Sequence, residues 1–203
     1  MSENGLLVIL SGPSGTGKGT VLKKVLSSRK NTMLSVSATT RKPRAGEKDG
    51  ADYYFMTREK FSRIKEDGGM LESAEYCGNF YGTPLAPIKD WTSKGIDVVL
   101  EIDVQGGFQV KNKVKDSVGI FILPPSMQAL GHRLRKRGTE EESAVQSRLS
   151  AARLEIAKAV SYDYVVVNDE IEKASDMVCR IMDAEKLRAA RNEHLIERVL
   201  KND

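Results

Sequence analysis

Short apolar runs separated by longer polar stretches dominate the chain. Five of them have the length of buried strands: Leu6–Ser11, Thr32–Ser37, Ile96–Asp103, Val118–Leu123 and Tyr164–Asn168. Continuous apolar runs of this length are typical of parallel strands that are covered on both faces. Helical patterns alternate with the runs, so the sequence predicts a parallel α/β sheet with right-handed crossovers.

Two long excursions interrupt this alternation, and the first covers residues 38–94. It opens with a polar loop and continues with strand-like pieces at residues 53–55 and 71–76. The pair Thr83-Pro84 offers an N-cap and a first helical residue, and the helix that follows is predicted to end at Gly95. The excursion starts at the carboxyl end of a core strand, where α/β sheets bind ligands.

The second excursion, residues 126–158, is helical throughout. Ser126 is the predicted cap of a helix over Met127–Lys136, and Gly138 is its predicted end. Apolar residues recur at helical spacing from Val145 to Val160 and indicate a second helix. This excursion also starts at the carboxyl end of a core strand, so it is a second candidate for a ligand-binding insertion.

The C-terminal stretch from Ile171 onward predicts a long helix, with a polar end from Arg188 that frays. The chain length suits one globular domain with insertions. The predicted core comprises residues 1–36, 95–125 and 159–203, and the predicted insertions are residues 37–94 and 126–158.

A glycine-rich loop follows the first apolar run and precedes a helical pattern. It fits G-x-x-x-x-G-K, and strand, loop and helix together are the parts of a P-loop. Glycines let backbone N–H groups turn around a phosphate chain, the helix N-terminus favours the same anion, and Lys18 adds a full charge. The predicted nucleotide-phosphate residues are Gly12, Pro13, Ser14, Gly15, Thr16, Gly17, Lys18, Gly19 and Thr20.

One residue departs from most P-loops. Gly19 stands where a Ser or Thr hydroxyl usually binds Mg²⁺, and Thr20 is displaced by one position and should point elsewhere. We therefore expect the metal to be held by substrate phosphates, waters and a carboxylate, an arrangement that Mg²⁺ tolerates.

Composition narrows the class of protein. The 203 residues carry a net charge of +4, which is compatible with anionic substrates but too small to argue for nucleic acid. Cys77 and Cys179 are far apart without metal-ligand spacing, and His132 and His194 show no partner spacing. The N-terminus lacks a basic region, and no segment approaches the roughly 20 apolar residues of a membrane span. We expect a reduced, cytoplasmic protein with no membrane or nucleic-acid partner; monomer and homo-oligomer both stay open.

The polar loop of the first excursion is a candidate phosphate site. Arg41 and Arg44 flank Pro43, which stiffens the loop. Two guanidinium groups held close together suit a phosphate monoester, and Tyr53 could add a phenolic donor. A solvated basic loop is the alternative.

Two further segments carry charge in suggestive places. Glu101 and Asp103 end the third apolar run and, two residues apart in a strand, would face the same side, toward the P-loop. The segment from His132 to Arg137 is a basic helix face, which taken alone would also suit RNA.

Together these segments resemble the guanylate kinases. Matching motifs occur in that family's order and spacing from Leu7 to about Asp169: residues 12–20, 37–53, 79–83, 101–106 and 137–139. The resemblance implies an α/β, three-layer P-loop kinase core with a five-stranded parallel sheet, a GMP-binding insertion at residues 37–94 and a helical lid at residues 126–158. It implies transfer of the γ-phosphoryl group of ATP to GMP, with dGMP as a further acceptor and Mg²⁺ entering with ATP.

The resemblance also assigns roles on the GMP side. The GMP phosphate would lie on Ser37, Arg41, Arg44, Tyr53 and Tyr81. The base would be read by Glu72, Thr83 and Asp103. Guanine offers N1–H and an exocyclic amine as donors, so carboxylates can accept from both, and a hydroxyl can donate to O6.

On the ATP side, the resemblance gives arginines of the lid the task of closing over the phosphates. The implied catalytic cations are Lys18, Arg41, Arg133, Arg137 and Arg148, whereas Arg135 and Lys136 are expected to be solvated. Asn168 would lie near the adenine or ribose. No residue is expected to bind Mg²⁺ directly, although Glu101 or Asp103 would position it through water.

Two alternatives fit the sequence less well. Residues 103–106 match the D-x-x-G of a GTPase, but the N-K-x-D motif is missing, since residues 112–116 are one residue too long for it. A non-catalytic binding module of the same fold would typically have an eroded P-loop. Here the glycines, Lys18 and the lid arginines are intact, which favours an enzyme.

Overall fold

The computed structural model describes residues 4–136 and 141–201. Numbered along the chain, its strands are β1 (Leu7–Ser11), β2 (Thr32–Leu34), β3 (Ala38–Thr39), β4 (Tyr54–Phe55), β5 (Met70–Tyr76), β6 (Asn79–Pro84), β7 (Asp97–Glu101), β8 (Val118–Leu123) and β9 (Tyr164–Val167). Its helices are α1 (Lys18–Ser28), α2 (Arg58–Glu66), α3 (Leu85–Ser93), α4 (Val104–Lys113), α5 (Met127–Lys136), α6 (Glu142–Ile156), α7 (Ile171–Lys186) and α8 (Glu193–Lys201). Within these residues no helix is long and apolar enough to cross a bilayer.

The core is a five-stranded parallel sheet in the order β2-β7-β1-β8-β9. Strand β1 lies at its centre and is buried along its whole length. Val8 and Leu10 pack in one cluster with apolar residues of α1 and α7, whereas Ile9 packs on the other face with residues of α3 and α4. Helices therefore cover both faces, and the predicted three-layer α/β core is confirmed.

A second, four-stranded sheet in the order β4-β3-β6-β5 lies beside the core. Strands β3 and β4 are parallel, and the remaining pairs are antiparallel. Its own small apolar cluster is built on Ala38, Phe61 and Met70. Strand β6 was not predicted as a strand, because residues 79–83 show no clear apolar alternation.

Several predicted boundaries are wrong. The second strand ends at Leu34, so Ser35–Ser37 form a connection, and Tyr53 precedes β4. Thr83 belongs to β6, and Pro84 takes the N-cap position of α3. Thr83 instead uses its hydroxyl in a tertiary hydrogen bond to Glu72, which local capping preferences could not reveal.

The helical excursion follows the prediction more closely. Helix α5 spans Met127–Lys136, and the Ser126 hydroxyl caps it by accepting a hydrogen bond from the Ala129 N–H at 3.0 Å. Helix α6 ends at Ile156, so Val160 is not part of it and is 89% exposed. The predicted helix end at Gly138 lies outside the described residues.

The C-terminal region does not fray from Arg188 as predicted. Helix α7 is followed by a short 3₁₀ turn at Ala189–Arg191 and then by α8. Arg191 pairs with Asp116 and lies 3.5 Å from the buried carboxylate of Glu185. Arg191 therefore has partners on the core, which a one-dimensional pattern does not show.

Candidate active site

The P-loop connects the end of β1 to the start of α1. Gly17, at the N-cap of α1, has φ +87°, a left-handed conformation that glycine adopts without strain. The Lys18 ammonium group folds back over the loop and donates to the carbonyl oxygens of Gly12 at 2.5 Å and Pro13 at 3.2 Å. The loop, Lys23 and Glu101 line a cavity of about 360 Å³, which is open to solvent and large enough for phosphate groups.

Buried polar groups form hydrogen bonds to the backbone of the P-loop. The Thr16 hydroxyl donates to the Pro13 carbonyl at 2.9 Å, and the Asn168 amide donates to the Thr16 carbonyl at 2.7 Å. Asn168 is only 2% exposed, and a Cβ atom at Gly17 would lie 2.5 Å from its Nδ2. The Asn168 side chain therefore packs against the P-loop backbone at Thr16 and Gly17 and supports it.

Two of the predicted lid arginines reach the P-loop. Arg133 on α5 donates to the carbonyl oxygens of Asn168 at 2.9 Å and Thr16 at 3.4 Å. Arg148 on α6 donates to the Ser14 hydroxyl. Both guanidinium groups therefore contact the loop that would hold the phosphates. Arg137, the third predicted lid arginine, lies outside the described residues.

Arg135 differs from Arg133 although both lie on α5. Arg135 is exposed, as expected, and its Nε and Nη2 atoms donate to the two carboxylate oxygens of Glu142 on α6, at 2.9 and 2.6 Å. This pairing lowers the pKa of Glu142 to about 2. Lys136 is exposed, as expected.

The predicted GMP-phosphate residues come together at one end of the four-stranded sheet. The Arg41 guanidinium lies 5.5 Å from the centre of the Tyr53 ring, and the Tyr53 and Tyr81 rings are 6.1 Å apart. Ser37 is next to them, because its carbonyl accepts from the N–H of Tyr54 at 2.8 Å. The Arg44 side chain is exposed on the loop nearby.

Glu47 holds this loop together and was not singled out from the sequence. Its carboxylate accepts from Arg41 Nη2 at 2.8 Å and from the backbone N–H of Arg44 at 2.7 Å. These contacts, the Arg41 hydrogen bond above all, lower the pKa of Glu47. One guanidinium group of the predicted phosphate site is thus already paired with a carboxylate of the same loop.

The three predicted base readers also meet. The Thr83 hydroxyl donates to Glu72 Oε1 at 2.7 Å, and Glu72 is 7% exposed. A Cβ atom at Gly106 would lie 3.2 Å from Glu72 Oε2 and 3.5 Å from Asp103 Oδ1, so both carboxylates lie close to this glycine. Burial, and secondarily the charge of Asp103, raises the pKa of Glu72.

The expectation that Glu101 and Asp103 share one face of a strand is wrong. Strand β7 ends at Glu101, and Asp103 is the N-cap of α4, where its Oδ1 accepts from the Gly106 N–H at 2.7 Å. Glu101 faces the P-loop, with its Oε1 3.4 Å from the position of a Cβ atom at Gly19. One carboxylate therefore serves the P-loop cavity, and the other lies beside Glu72.

A half-buried carboxylate on α6, Glu155, was also missed. Burial raises its pKa, while the positive charge of Lys18 and the negative charge of Asp103 act on it in opposite directions. Glu155 is therefore close enough to interact with the charges of both Lys18 and Asp103. The helical pattern around it gives no signal of this position, because Glu155 is one of several charged residues along α6.

Comparison with known proteins agrees with this geometry. The family model described as guanylate kinase matches residues 4–185. A guanylate kinase of Streptococcus thermophilus is 51% identical over 192 residues, covering 94% of this chain and 92% of its own length. A guanylate kinase of Desulfitobacterium hafniense is 48% identical over 200 residues, covering 98% and 100%.

A solved structure supports the same assignment. The crystal structure of guanylate kinase from Anaplasma phagocytophilum is similar with a TM-score of 0.72 and 40% sequence identity, covering 93% of this chain and 90% of that chain. The family model, the relatives and the fold point to one conclusion: this chain belongs to the guanylate kinase family.

Proposed function

We propose that the protein transfers the γ-phosphoryl group of ATP to GMP, giving ADP and GDP, with dGMP as a further acceptor. The observation that carries the proposal is the buried carboxylate of Glu72, which faces the Thr83 hydroxyl and Asp103 beside a P-loop cavity. Guanine supplies the N1–H and 2-amine donors that two carboxylates require, whereas adenine has neither. Glu72 is desolvated whereas Asp103 is exposed, so the cost of leaving the buried Glu72 carboxylate unpaired is what favours guanine.

In this proposal ATP binds at the P-loop of the five-stranded sheet, and GMP binds at the four-stranded sheet. ATP lies on residues 12–20, whose backbone Asn168 supports through its hydrogen bond to the Thr16 carbonyl. The GMP phosphate lies on Ser37, Arg41, Arg44, Tyr53 and Tyr81. The four-stranded sheet falls within residues 37–94, and α5 and α6 fall within residues 126–158, which supports the division into a GMP-binding subdomain and a lid.

The cations carry most of the catalysis. Phosphoryl transfer spreads negative charge over the moving group and leaves little covalent work for the protein, so positioned positive charge lowers the barrier. Lys18, Arg41, Arg133, Arg137 and Arg148 are the residues proposed for this task. Glu101 and Glu155 limit the net charge around Lys18.

We place Mg²⁺ with ATP rather than in a site of the protein's own. Within residues 4–136 and 141–201 no three His, Cys, Asp or Glu side chains are grouped to hold a metal ion. Glu101 faces the P-loop at Gly19, so its carboxylate is suited to bind the ion through a bridging water. When bound, Mg²⁺ would neutralise charge on the transferring phosphates. Both cysteines are free thiols, which is compatible with the proposed cytoplasmic location.

The test is an assay of ADP release with GMP, AMP, CMP and UMP as acceptors, each with and without a chelator of divalent ions. We expect turnover with GMP that the chelator abolishes, and turnover with AMP lower by about 10³ or more in kcat/KM. Comparable turnover of AMP and GMP would contradict the proposed base recognition.

A further inference from the structure

Strand β5 contains a bulge at the residue proposed to read the base. In the pairing of β5 with β6, Met70 lies opposite Pro84 and Ser73 lies opposite Gly82. Leu71 and Glu72 therefore share the single partner Thr83. A bulge of this kind re-aims the side chains of the strand that carries it, and Glu72, one of the two bulged residues, accepts a hydrogen bond from the Thr83 hydroxyl.

Helix α4 of the core contacts the outer edge of strand β5 at this bulge. Strand β5 is at the edge of its sheet, so one row of its backbone groups has no neighbouring strand. The Gln109 side chain supplies the hydrogen bonds that a neighbouring strand would make at Ser73. Its Oε1 accepts from the Ser73 N–H at 3.1 Å, and its Nε2 donates to the Ser73 carbonyl at 3.2 Å. A side-chain amide offers the same donor and acceptor as a peptide group.

A second contact holds the other end of the bulge. The Lys113 ammonium group donates to the Met70 carbonyl at 3.0 Å. Gln109 and Lys113 are four residues apart, which places them on the same face of α4. Met70 and Ser73 are the residues that flank the bulge, so side chains of α4 form hydrogen bonds to β5 on both sides of the bulge.

We propose that Gln109 and Lys113 are positioning residues that set the distance between Glu72 and Asp103, and through it the affinity for a guanine base. Asp103 caps the N-terminus of the same helix, so α4 carries one base reader and holds the strand that carries the other. The inference rests on the proposed function, since it concerns the base site of that reaction. Displacements of about 1 Å in such a site have large effects.

The test compares three substitutions of similar shape on α4. Gln109→Met and Lys113→Met remove the two contacts, and Asn112→Met is the control, since Asn112 is exposed on the same helix. We expect KM for GMP to rise about tenfold in Gln109→Met and about threefold in Lys113→Met. We expect kcat and KM for ATP to stay within about twofold of wild type, and Asn112→Met to change nothing.

Hydrogen exchange supplies a readout that does not depend on the reaction. Loss of the Gln109 acceptor should speed exchange of the Ser73 amide in Gln109→Met. Faster exchange together with a raised KM for GMP supports the proposal. Faster exchange with an unchanged KM for GMP, or equal losses for GMP and ATP, overturns it while the proposed function stands. Failure of the proposed function would appear separately, as absence of GMP turnover in the wild-type protein.

If Gln109→Met does not fold, Gln109→Ala carries the test, because Lys113→Met also removes a positive charge that acts on Glu72. The KM of Gln109→Ala for GMP must then rise while KM for ATP does not, and an unchanged KM for GMP overturns the proposal.

Discussion

The two halves of the site are built in different ways. The P-loop is nine consecutive residues, shaped by glycines and a helix N-terminus. The proposed guanine site draws on Glu72, Thr83 and Asp103, which come from an edge strand, its neighbour and a helix cap. Damage to the first half should slow phosphoryl transfer to any acceptor, whereas damage to the second should change which acceptor is used.

The halves also hold their cations differently. Lys18 donates to two carbonyl oxygens of its own loop, and its charge also interacts with the Glu155 carboxylate on α6. Arg41 is paired with the charged carboxylate of Glu47 and lies against Tyr53. Arg41 is thus fixed by Glu47 of its own loop, and this would reduce the ordering cost of binding at the proposed GMP site.

Replacement of Lys18 by Ala should have the largest effect. Because Lys18 is the full positive charge within the P-loop, its loss should lower kcat by on the order of 10²–10³ with GMP, and KM for GMP should change little. Steady-state kinetics with circular dichroism as the folding control tests this. Retention of more than half the wild-type rate would exclude this loop as the phosphoryl-transfer site.

The two arginines of α5 separate a catalytic cation from a surface charge. Arg133→Ala should lower kcat by on the order of tenfold to a hundredfold and affect KM for ATP less, because its guanidinium reaches the P-loop. Arg135→Ala should change kcat by less than about twofold, since Arg135 is paired with Glu142 at an exposed position. Equal impairment of the two variants would mean that α5 acts only as a basic surface.

The buried carboxylate should cost stability in a pH-dependent way. The raised pKa of Glu72 means that the folded protein binds this proton more tightly than the unfolded chain does. Its contribution to the free energy of unfolding therefore falls as pH rises through the ordinary range of a glutamate toward the raised pKa. Glu72→Gln should be as stable as wild type near pH 4 and more stable near pH 7, as measured by urea unfolding. A variant less stable than wild type at pH 7 would show that the ionised carboxylate supports the fold.

Local patterns predicted the P-loop half well and the guanine half only in part. Strand, glycine loop, lysine and helix are contiguous, so the motif near Lys18 could be read directly. Asp103 was expected at the end of a strand, but that strand ends at Glu101, and Asp103 is the N-cap of α4. The roles of Glu47 and Gln109 depend on partners brought close by loop and sheet geometry, and neither residue stands out in the chain.

The residues proposed for GMP were identified from a family resemblance more than from their own pattern. Glu72 is one carboxylate in a strand with Glu75, and nothing local distinguishes the buried one from the exposed one. Regular strand alternation places Glu72 and Glu75 on opposite faces, but which face is buried depends on pairing with β6, a strand that the sequence did not predict. Tertiary contacts therefore decide the site where periodicity does not.

The most direct test of the central claim is a side-by-side measurement of kcat/KM for GMP and AMP in wild type, Glu72→Gln and the control Glu75→Gln. Glu75 is an exposed carboxylate on the same strand. The wild type should prefer GMP by roughly 10³ or more. Glu72→Gln should lose most of its activity toward GMP while AMP is unchanged or slightly improved, and Glu75→Gln should resemble wild type. Equal losses for GMP and AMP in Glu72→Gln would contradict the account, because Glu72 would then support the fold or the metal and would not read the base.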